Sequence, residues 1–346
     1  MATPQRFLVI QTAFIGDVIL TLPMIQELKR HVPSAHIDLI VIPRSADLLR
    51  NHPSIREVIQ FDKQKSDKGV FRLWRIAQML RSKKYDAALI PHRSMRSAAL
   101  AFLAGVPMRV GFDVSVSRFA YTHVVRYDKL KHEADRNAAL LAPFGINLQT
   151  KVLPTLHPTN SDVEAVNLVV KKFGWDSTAN VIAVAPGTVW NTKRWPKEKF
   201  IELVRLLLTK GLRIVMVGGA EDVELCGQIV QASESESVRA VAGQLGLLES
   251  AALIQQCSVV ISNDSAPMHM AMAMRTPVVA IFGATVPEFG FSPYGVKDVV
   301  IETKGLACRP CSMHGGKACP IGTFECMEKI SPAEVCEAVV RIIRRR

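Results

Sequence analysis

Residues 185–196 combine hydroxyl, amide and cationic groups in a pattern that suits an anionic ligand. Gly187 and Thr188 can offer a backbone amide and a hydroxyl, and Lys193 and Arg194 follow as consecutive cations. Charged donors of this kind can bind a diphosphate and stabilise negative charge that develops on it. The alternative is an ordinary basic loop in which a tryptophan packs as an apolar anchor.

A second segment, residues 262–269, has the sequence Ser-Asn-Asp-Ser-Ala-Pro-Met-His between an apolar run and a predicted helix. The free amides at a helix start can bind an anion, and Ser265 can add its hydroxyl. Asp264 and His269 would lie near the same site. Alternatively, Asp264 or Ser265 only caps the helix and His269 is an ordinary helix residue.

A third segment, residues 11–23, follows the first apolar run and contains Gly16 and Asp17. It has one glycine where the dinucleotide-binding fingerprint has three, which disfavours a phosphate cradle here and a nicotinamide-dependent oxidoreductase. Asp17 is therefore the group of chemical interest. The alternative is that Asp17 only stabilises the helix N-terminus electrostatically.

His92, Arg93 and Arg96 follow another apolar run, at the start of a predicted helix. Two arginines three residues apart can bind phosphates or carboxylates with paired hydrogen bonds. A solvated basic turn is the alternative reading of the same residues.

The elements that position these segments are predicted from hydrophobic patterning. Short apolar runs alternate with longer amphipathic stretches, which indicates repeated βα units and parallel sheets. Active sites of such sheets lie at the carboxyl ends of the strands, where all four segments begin. The predicted strands are 7–10, 37–42, 57–61, 87–91, 109–112, 124–126, 181–185, 213–217, 239–241, 259–262 and 278–282. The predicted helices are 17–30, 70–82, 94–103, 133–144, one beginning near 161, 197–209, 222–231, 248–255 and 267–274.

A chain of 346 residues fits two domains, each with its own core. Residues 153–160 contain two prolines and interrupt the βα pattern, so we place the linker there. The predicted domains are residues 1–158 and 159–330. Residues 331–346 are predicted to form a last helix that begins at Ser331 and Pro332.

The formal net charge of +12 would attract phosphates or an anionic surface. Aromatic residues make up 6%, and no helix-turn-helix pattern or basic run with interleaved aromatics is present, which disfavours nucleic acid as a partner. The sequence shows neither a secretory signal nor a long apolar segment, so a soluble cytoplasmic protein is expected. Arg341 and Arg344 to Arg346 could contact anionic headgroups, or could only stabilise the C-terminus of their helix.

Four of the seven cysteines are grouped as Cys308, Cys311, Cys319 and Cys326. In a cytosolic chain such a group favours a metal over disulfides, and a closed set of four thiolates would hold structural zinc. The group lacks the paired Cys-x2-Cys knuckles of a ribbon site, and reduced thiols in a compact loop remain the default interpretation.

Together with Phe-Gly-Ala-Thr at residues 282–285, these segments resemble glycosyltransferase family 9, the ADP-heptose:lipopolysaccharide heptosyltransferases. The shared features are a Gly-Asp turn after the first strand, Pro-Gly followed by Lys-Arg-Trp-Pro, Asn-Asp-Ser followed by His, and Phe-Gly-x-Thr. The Cys308-Arg-Pro-Cys311 and Cys319-Pro320 pattern is most similar to the heptosyltransferase II branch of the family.

The resemblance implies an α/β protein of the GT-B fold, with two Rossmann-like domains facing a central cleft. The N-terminal domain would bind the acceptor and the C-terminal domain ADP-heptose. The last helix, residues 331–346, would pack back on the N-terminal domain, as it often does in GT-B proteins. Transfer would invert the anomeric centre without a covalent intermediate or a required cofactor. Asp17 would be the general base, and Lys193 would stabilise the departing diphosphate. The other implied donor-binding residues are Thr188, Glu221, Leu245, Asp264, Ser265, Ala266 and His269. Ala266 stands where many members have glycine.

His92, Arg93 and Arg96 would then bind a heptose- or Kdo-bearing lipid A acceptor of the lipopolysaccharide inner core, and the enzyme would contact the anionic inner membrane surface. Two alternatives stay open. The chain could resemble heptosyltransferase I, or use another acceptor. It could also be a non-catalytic protein that binds a nucleotide sugar.

Overall fold

The computed structural model describes residues 4–62, 69–175 and 180–345. The chain divides into two compact units, Met1–His157 and Pro158–Arg346. The division falls inside the segment 153–160, where the linker is predicted.

The first unit contains a six-stranded parallel sheet covered by helices. Its strands are β1 (Arg6–Ile10), β2 (His36–Val41), β3 (Glu57–Gln60), β4 (Ala87–Ile90), β5 (Met108–Phe112) and β6 (His123–Val125). Its helices are α1 (Ile15–His31), α2 (Pro43–Ala46), α3 (Val70–Ser82), α4 (Met95–Leu103) and α5 (Glu133–Ala139). The strand order is β3-β2-β1-β4-β5-β6, which is the doubly wound order of dinucleotide-binding folds.

The second unit repeats this topology. Its helices are α6 (Asn160–Lys172), α7 (Lys197–Leu208), α8 (Val223–Ser233), α9 (Leu247–Gln256), α10 (Ala266–Ala273), α11 (Glu325–Glu328) and α12 (Pro332–Arg344). Its strands are β7 (Val181–Ala185), β8 (Arg213–Met216), β9 (Val238–Ala240), β10 (Val259–Asn263), β11 (Val278–Phe282) and β12 (Val299–Glu302). Their order is β12-β11-β10-β7-β8-β9, and all the pairs are parallel.

The central strands are buried along their whole length because helices cover both faces of each sheet. Every residue of β7, β10 and β11 is buried. Strands of this kind are continuous apolar runs, which explains why the sequence pattern predicts them well. The loops that follow them therefore start from rigid positions at one edge of the sheet.

The short helices α2 and α11 were not predicted, and two further elements differ from the sequence-based prediction for local reasons. Strand β12 was not predicted, because it is a partly buried edge strand without a long apolar run. The predicted helix over 133–144 ends early, as α5, and is followed by a short 3-10 turn at Ala142–Phe144. Pro143 lies in that turn, where it cannot donate a helical hydrogen bond.

The prediction that the last helix packs on the N-terminal domain is corrected by the structure. Val335, Val339 and Ile342 of α12 are buried in the core of the second unit, where α12 packs against α7. The amphipathic stripe of α12 finds its apolar partners in the unit to which it is connected. Within the described ranges, no helix combines the length and apolar character needed to cross a membrane.

Candidate functional site

Three of the predicted segments meet at the carboxyl edge of the second sheet. The neighbouring strands β7, β10 and β11 end there. Lys193 closes a short 3-10 turn after β7, Asp264 directly follows β10, and Thr285 follows β11. Parallel pairing of these strands brings residues that are far apart in sequence into one cluster.

The centre of this cluster is an ion pair. Lys193 Nζ lies 2.6 Å from Asp264 Oδ2, and the two side chains are only 13% and 8% exposed. Thr285 donates a hydrogen bond from Oγ1 to the same carboxylate oxygen, at 2.7 Å. Attraction between the charges is strong at a site with so little water, so the lysine ammonium is held at a defined position.

Asn263 joins the loops after β7 and β10. Its Oδ1 accepts a hydrogen bond from the Trp195 amide at 3.1 Å, and its Nδ2 donates to the Pro186 carbonyl at 2.8 Å. Trp195 is fully buried and packs edge-to-face on Phe200, with ring centroids 4.9 Å apart. Asn263 was not among the predicted site residues, although its place in the Asn-Asp-Ser segment was a usable signal.

His269 and the start of α10 lie beside the ion pair. Burial lowers the pKa of His269 to about 4, with a smaller lowering by Lys193 that Asp264 opposes, so the ring is neutral at physiological pH. Its Nδ1 has no hydrogen-bond partner within the described residues. Ser265 precedes α10 in an extended conformation and does not cap it, so the first amides of the helix, beginning at Ala266, are not used by that side chain.

The other predicted donor-binding residues lie along the same edge. Arg194 donates to the Thr188 carbonyl at 2.8 Å, which shows that this arginine supports the loop. Glu221 follows β8 and is exposed, and Leu245 follows β9 and is half-buried. Since β7, β8 and β9 are neighbours, these residues extend the edge away from the ion pair.

Gly187 lies where the loops after β7 and β8 approach each other closely, and a larger residue would not fit there. A Cβ atom at position 187 would overlap the carboxylate of Asp222, which follows β8. The glycine therefore allows the loops after β7 and β8 to lie against each other.

A second layer comes from residues 308–326, which we call the cysteine loop. The Thr192 amide donates to the Gly316 carbonyl at 3.0 Å, and the Gly316 amide donates to Thr192 Oγ1 at 2.7 Å. Arg309 donates to the Thr285 carbonyl at 2.7 Å. The loop thus supports the residues on either side of the ion pair, a role that its sequence did not indicate.

Within this loop, Cys308, Cys311 and Cys319 are half-buried and Cys326 is buried, and all four are free thiols. Among residues 4–62, 69–175 and 180–345, no group of three or more His, Cys, Asp or Glu side chains is placed to hold a metal ion. The zinc interpretation therefore rests on the cysteine spacing alone. The Phe324 amide, with neighbouring amides, lowers the pKa of Cys319, whereas burial raises that of Cys326 to about 11.

In the first unit, the predicted residues lie after the adjacent strands β1 and β4. Asp17 is in the first turn of α1 and is half-buried. His92 Nδ1 lies 2.9 Å from Thr12 Oγ1, and Ser97 Oγ lies 3.4 Å from both of these atoms. Thr12 and Ser97, which the sequence reasoning missed, thus position the histidine.

Arg93 and Arg96 are both exposed at the start of α4. The Arg93 guanidinium lies 4.8 Å from the centre of the Tyr127 ring. Tyr127 donates to Glu133 at 2.8 Å, and burial, followed by Glu133, raises its pKa to about 12. The neutral phenol ring is a rigid platform for the arginine, and no sequence pattern predicted it.

Comparison with solved structures defines the class of this protein. A family 9 glycosyltransferase from Veillonella parvula matches with a TM-score of 0.90 and 24% identity, covering 100% of this chain and 99% of that chain. The ADP-heptose lipopolysaccharide heptosyltransferase II of Escherichia coli matches with a TM-score of 0.81 and 25% identity, covering 99% of each chain. The fold is that of GT-B glycosyltransferases, which confirms the predicted fold class.

The sequence comparisons give the family. The family model described as glycosyltransferase family 9 (heptosyltransferase) matches residues 73–319, more than half of the chain. Lipopolysaccharide heptosyltransferase 2 of Salmonella typhimurium is 29% identical over 294 residues, which are 82% of this chain and 84% of that protein. The chain belongs to glycosyltransferase family 9, and the family predicted from the motifs is confirmed.

Proposed function

We propose that this protein is an inverting glycosyltransferase that moves heptose from ADP-heptose to the inner core of lipopolysaccharide, as heptosyltransferase II does. The observation that carries the proposal is the convergence of Lys193, Asp264 and the start of α10 at one sheet edge. The Lys193 ammonium, the Ser265 hydroxyl and the free amides at the start of α10 are together suited to binding a diphosphate. The names of the similar proteins support heptose as the sugar.

In this proposal the donor lies along the edge of the second sheet. Its diphosphate contacts Lys193, Thr188 and the helix start at Ser265 and Ala266. The heptose lies by Asp264 and His269. Glu221 meets the ribose and Leu245 lies against the adenine, in keeping with their places after β8 and β9. A neutral His269 can donate or accept a hydrogen bond without repelling Lys193.

The reaction is a single in-line displacement. An acceptor hydroxyl oxygen forms a bond to the anomeric carbon of heptose as the bond from that carbon to the β-phosphate oxygen breaks. The hydroxyl proton passes to the Asp17 carboxylate, and the electron pair leaves with ADP. Lys193 stabilises the charge that grows on the departing diphosphate, so the step needs no metal cofactor.

The acceptor in this proposal is a heptose- and Kdo-bearing lipid A bound by the first unit. His92, Arg93 and Arg96 contact its phosphates or carboxylates. The exposure of both arginines, with Arg93 stacked on Tyr127, supports an anion-binding role. The enzyme would work in the cytoplasm, at the inner face of the cytoplasmic membrane.

The test is a transfer assay that crosses ADP-heptose and other nucleotide sugars with Kdo-lipid A acceptors carrying zero or one heptose. We expect transfer from ADP-heptose to the acceptor that already carries one heptose. Asp17→Asn should retain ADP binding while turnover falls about 10²–10⁴-fold, the usual contribution of a positioned general base.

Three outcomes would contradict the proposal. Transfer only to the heptose-free acceptor would indicate a heptosyltransferase I activity. ADP-heptose binding without transfer to any acceptor would indicate a non-catalytic binding protein. Unchanged turnover in Asp17→Asn would remove Asp17 from the mechanism.

A further inference from the structure

Helix α3 directs large apolar side chains away from the core of the first unit. Val70, Phe71 and Trp74 are 81%, 90% and 55% exposed, whereas Ala77 and Leu80 are the buried residues of this helix. Exposed apolar groups concentrated on one helix are characteristic of a surface that binds a partner or a membrane.

The charges on the same helix are all positive. Arg72, Arg75 and Arg81 are exposed, and α3 contains no aspartate or glutamate. A helix that combines exposed Trp and Phe with arginines, and has no carboxylate, has the composition of helices that lie in the headgroup region of a bilayer. Arginine can also extend its apolar stem along the acyl boundary while its charge stays in water.

We infer that the α3 face, defined by Val70, Phe71, Trp74 and Arg75, docks on an anionic lipid surface. The aromatic side chains enter the headgroup region and the arginines pair with anionic headgroups. The inference rests on the proposed function only in that a lipid-linked acceptor would place the enzyme at a membrane. Its own basis is the exposure and charge of α3.

The C-terminal helix, which the sequence suggested for this contact, is less suited to it. The apolar side of α12 is buried in the second unit, so it has none left to insert. Glu334 and Glu337 also lie on α12 and oppose the attraction of Arg341 and Arg344. Arg346 lies outside the described residues. The comparison favours α3 as the element that anchors the protein.

The test measures sedimentation of the full chain with vesicles of phosphatidylglycerol mixed into phosphatidylcholine, against vesicles of phosphatidylcholine alone. We expect binding to the anionic vesicles that weakens with added salt. A double variant, Phe71→Gln with Trp74→Gln, should bind at least about tenfold more weakly, because two large apolar groups no longer leave water. Arg75→Gln should lower binding about fivefold.

Two control variants test the specificity of the effect. Leu168→Gln removes another exposed apolar side chain, 64% exposed on α6, and should bind like the original chain. Arg341→Gln with Arg344→Gln should also retain most of the binding.

A fluorescence measurement locates the contact at Trp74. Tryptophan emission should shift to the blue on adding anionic vesicles, and this shift should disappear in Trp74→Phe while sedimentation with the vesicles persists.

Activity separates this inference from the proposed function. The Phe71→Gln/Trp74→Gln variant should keep heptose transfer to a deacylated acceptor in solution and lose transfer to an acceptor embedded in vesicles. If no chain transfers heptose, the proposed function fails, and vesicle binding still decides the role of α3.

The inference is overturned if the chain does not bind the anionic vesicles, if it binds both kinds of vesicle equally, or if the double variant binds like the original chain. Self-association that is lost in the double variant, without vesicle binding, would assign the face to a second copy of the chain instead.

Discussion

At the residue scale, the ion pair between Lys193 and Asp264 concentrates the chemistry of the second unit. Each side chain is largely withdrawn from water, and Thr285 donates to the carboxylate. A diphosphate that binds Lys193 must therefore compete with Asp264 for the ammonium. The lysine is pre-positioned by its partner, which reduces the entropy lost when the ligand binds.

Replacing Lys193 with alanine should weaken ADP binding and lower turnover about 10²–10³-fold, because charge on the diphosphate grows in the transition state. Binding can be measured by calorimetry and turnover by ADP release. Lys197→Ala is a matched control, since Lys197 is a nearby cation that donates to Gln228 on the surface. The assignment of Lys193 is wrong if both quantities survive its replacement, or if the control is equally impaired.

At the element scale, the loop after β7 depends on two other elements for its shape. Asn263, at the end of β10, holds it from one side, and the cysteine loop binds Thr192 from the other. Gly315 has a φ of +85°, and a Cβ there would lie 2.9 Å from Cγ and Cδ of Lys193. The cysteine loop thus limits where the Lys193 side chain can lie.

Gly315→Ala should displace Lys193 and lower turnover about tenfold, with the donor KM raised. In a Lys193→Ala background the same change should cost much less, because the Lys193 methylenes are gone and only the contact with Trp190 Cβ, 3.1 Å from the added Cβ, remains. Gly305→Ala is a matched control, since Gly305 has a φ of +76° and no atom within 4 Å of the added Cβ. Two results would show that backbone strain in the loop, and not contact with Lys193, causes the effect. One is a double variant in which the two losses of turnover multiply. The other is a Gly305→Ala control that loses as much turnover as Gly315→Ala.

At the scale of the whole molecule, each unit contains a buried neutral histidine. Burial lowers the pKa of His52 in the first unit to about 4, with a further lowering by His157, whose ring centroid is 5.0 Å away. Burial lowers the pKa of His269 in the second unit to about 4 as well. An unfolded histidine binds a proton near pH 6.5, whereas these two do not until about pH 4.

Between pH 6.5 and 4 the unfolded chain therefore binds more protons than the folded one, so the free energy of unfolding falls as the pH falls. Each histidine should contribute on the order of 3 kcal/mol of lost stability by pH 4, and the loss should level off below that. Chemical denaturation across this range should show that His52→Asn has a shallower pH dependence than the original chain. Parallel slopes for His52→Asn and the original chain would contradict the prediction.

Much of the fold and half of the candidate site could be predicted because they depend on local patterns. The continuous apolar runs of β7, β10 and β11 identify the strands, since a parallel sheet buries both faces. Polar residues directly after such runs must lie at the sheet edge. Residue types and spacing therefore made Lys193 and Asp264 candidates for the site, beside the alternatives of a basic loop and a helix cap, and the resemblance to the family gave the same residues.

Tertiary structure decided the features that depend on contacts between distant parts of the chain. The neighbours of β10 in the sheet determine that Asp264 meets both Lys193 and Thr285, and no local pattern encodes which strands pair. The contact of Gly315 with Lys193, and the burial of α12 in the second unit, likewise depend on where chain segments meet. Sequence periodicity reports which side of an element is apolar, but the partner that covers that side is chosen by the packing of the complete unit.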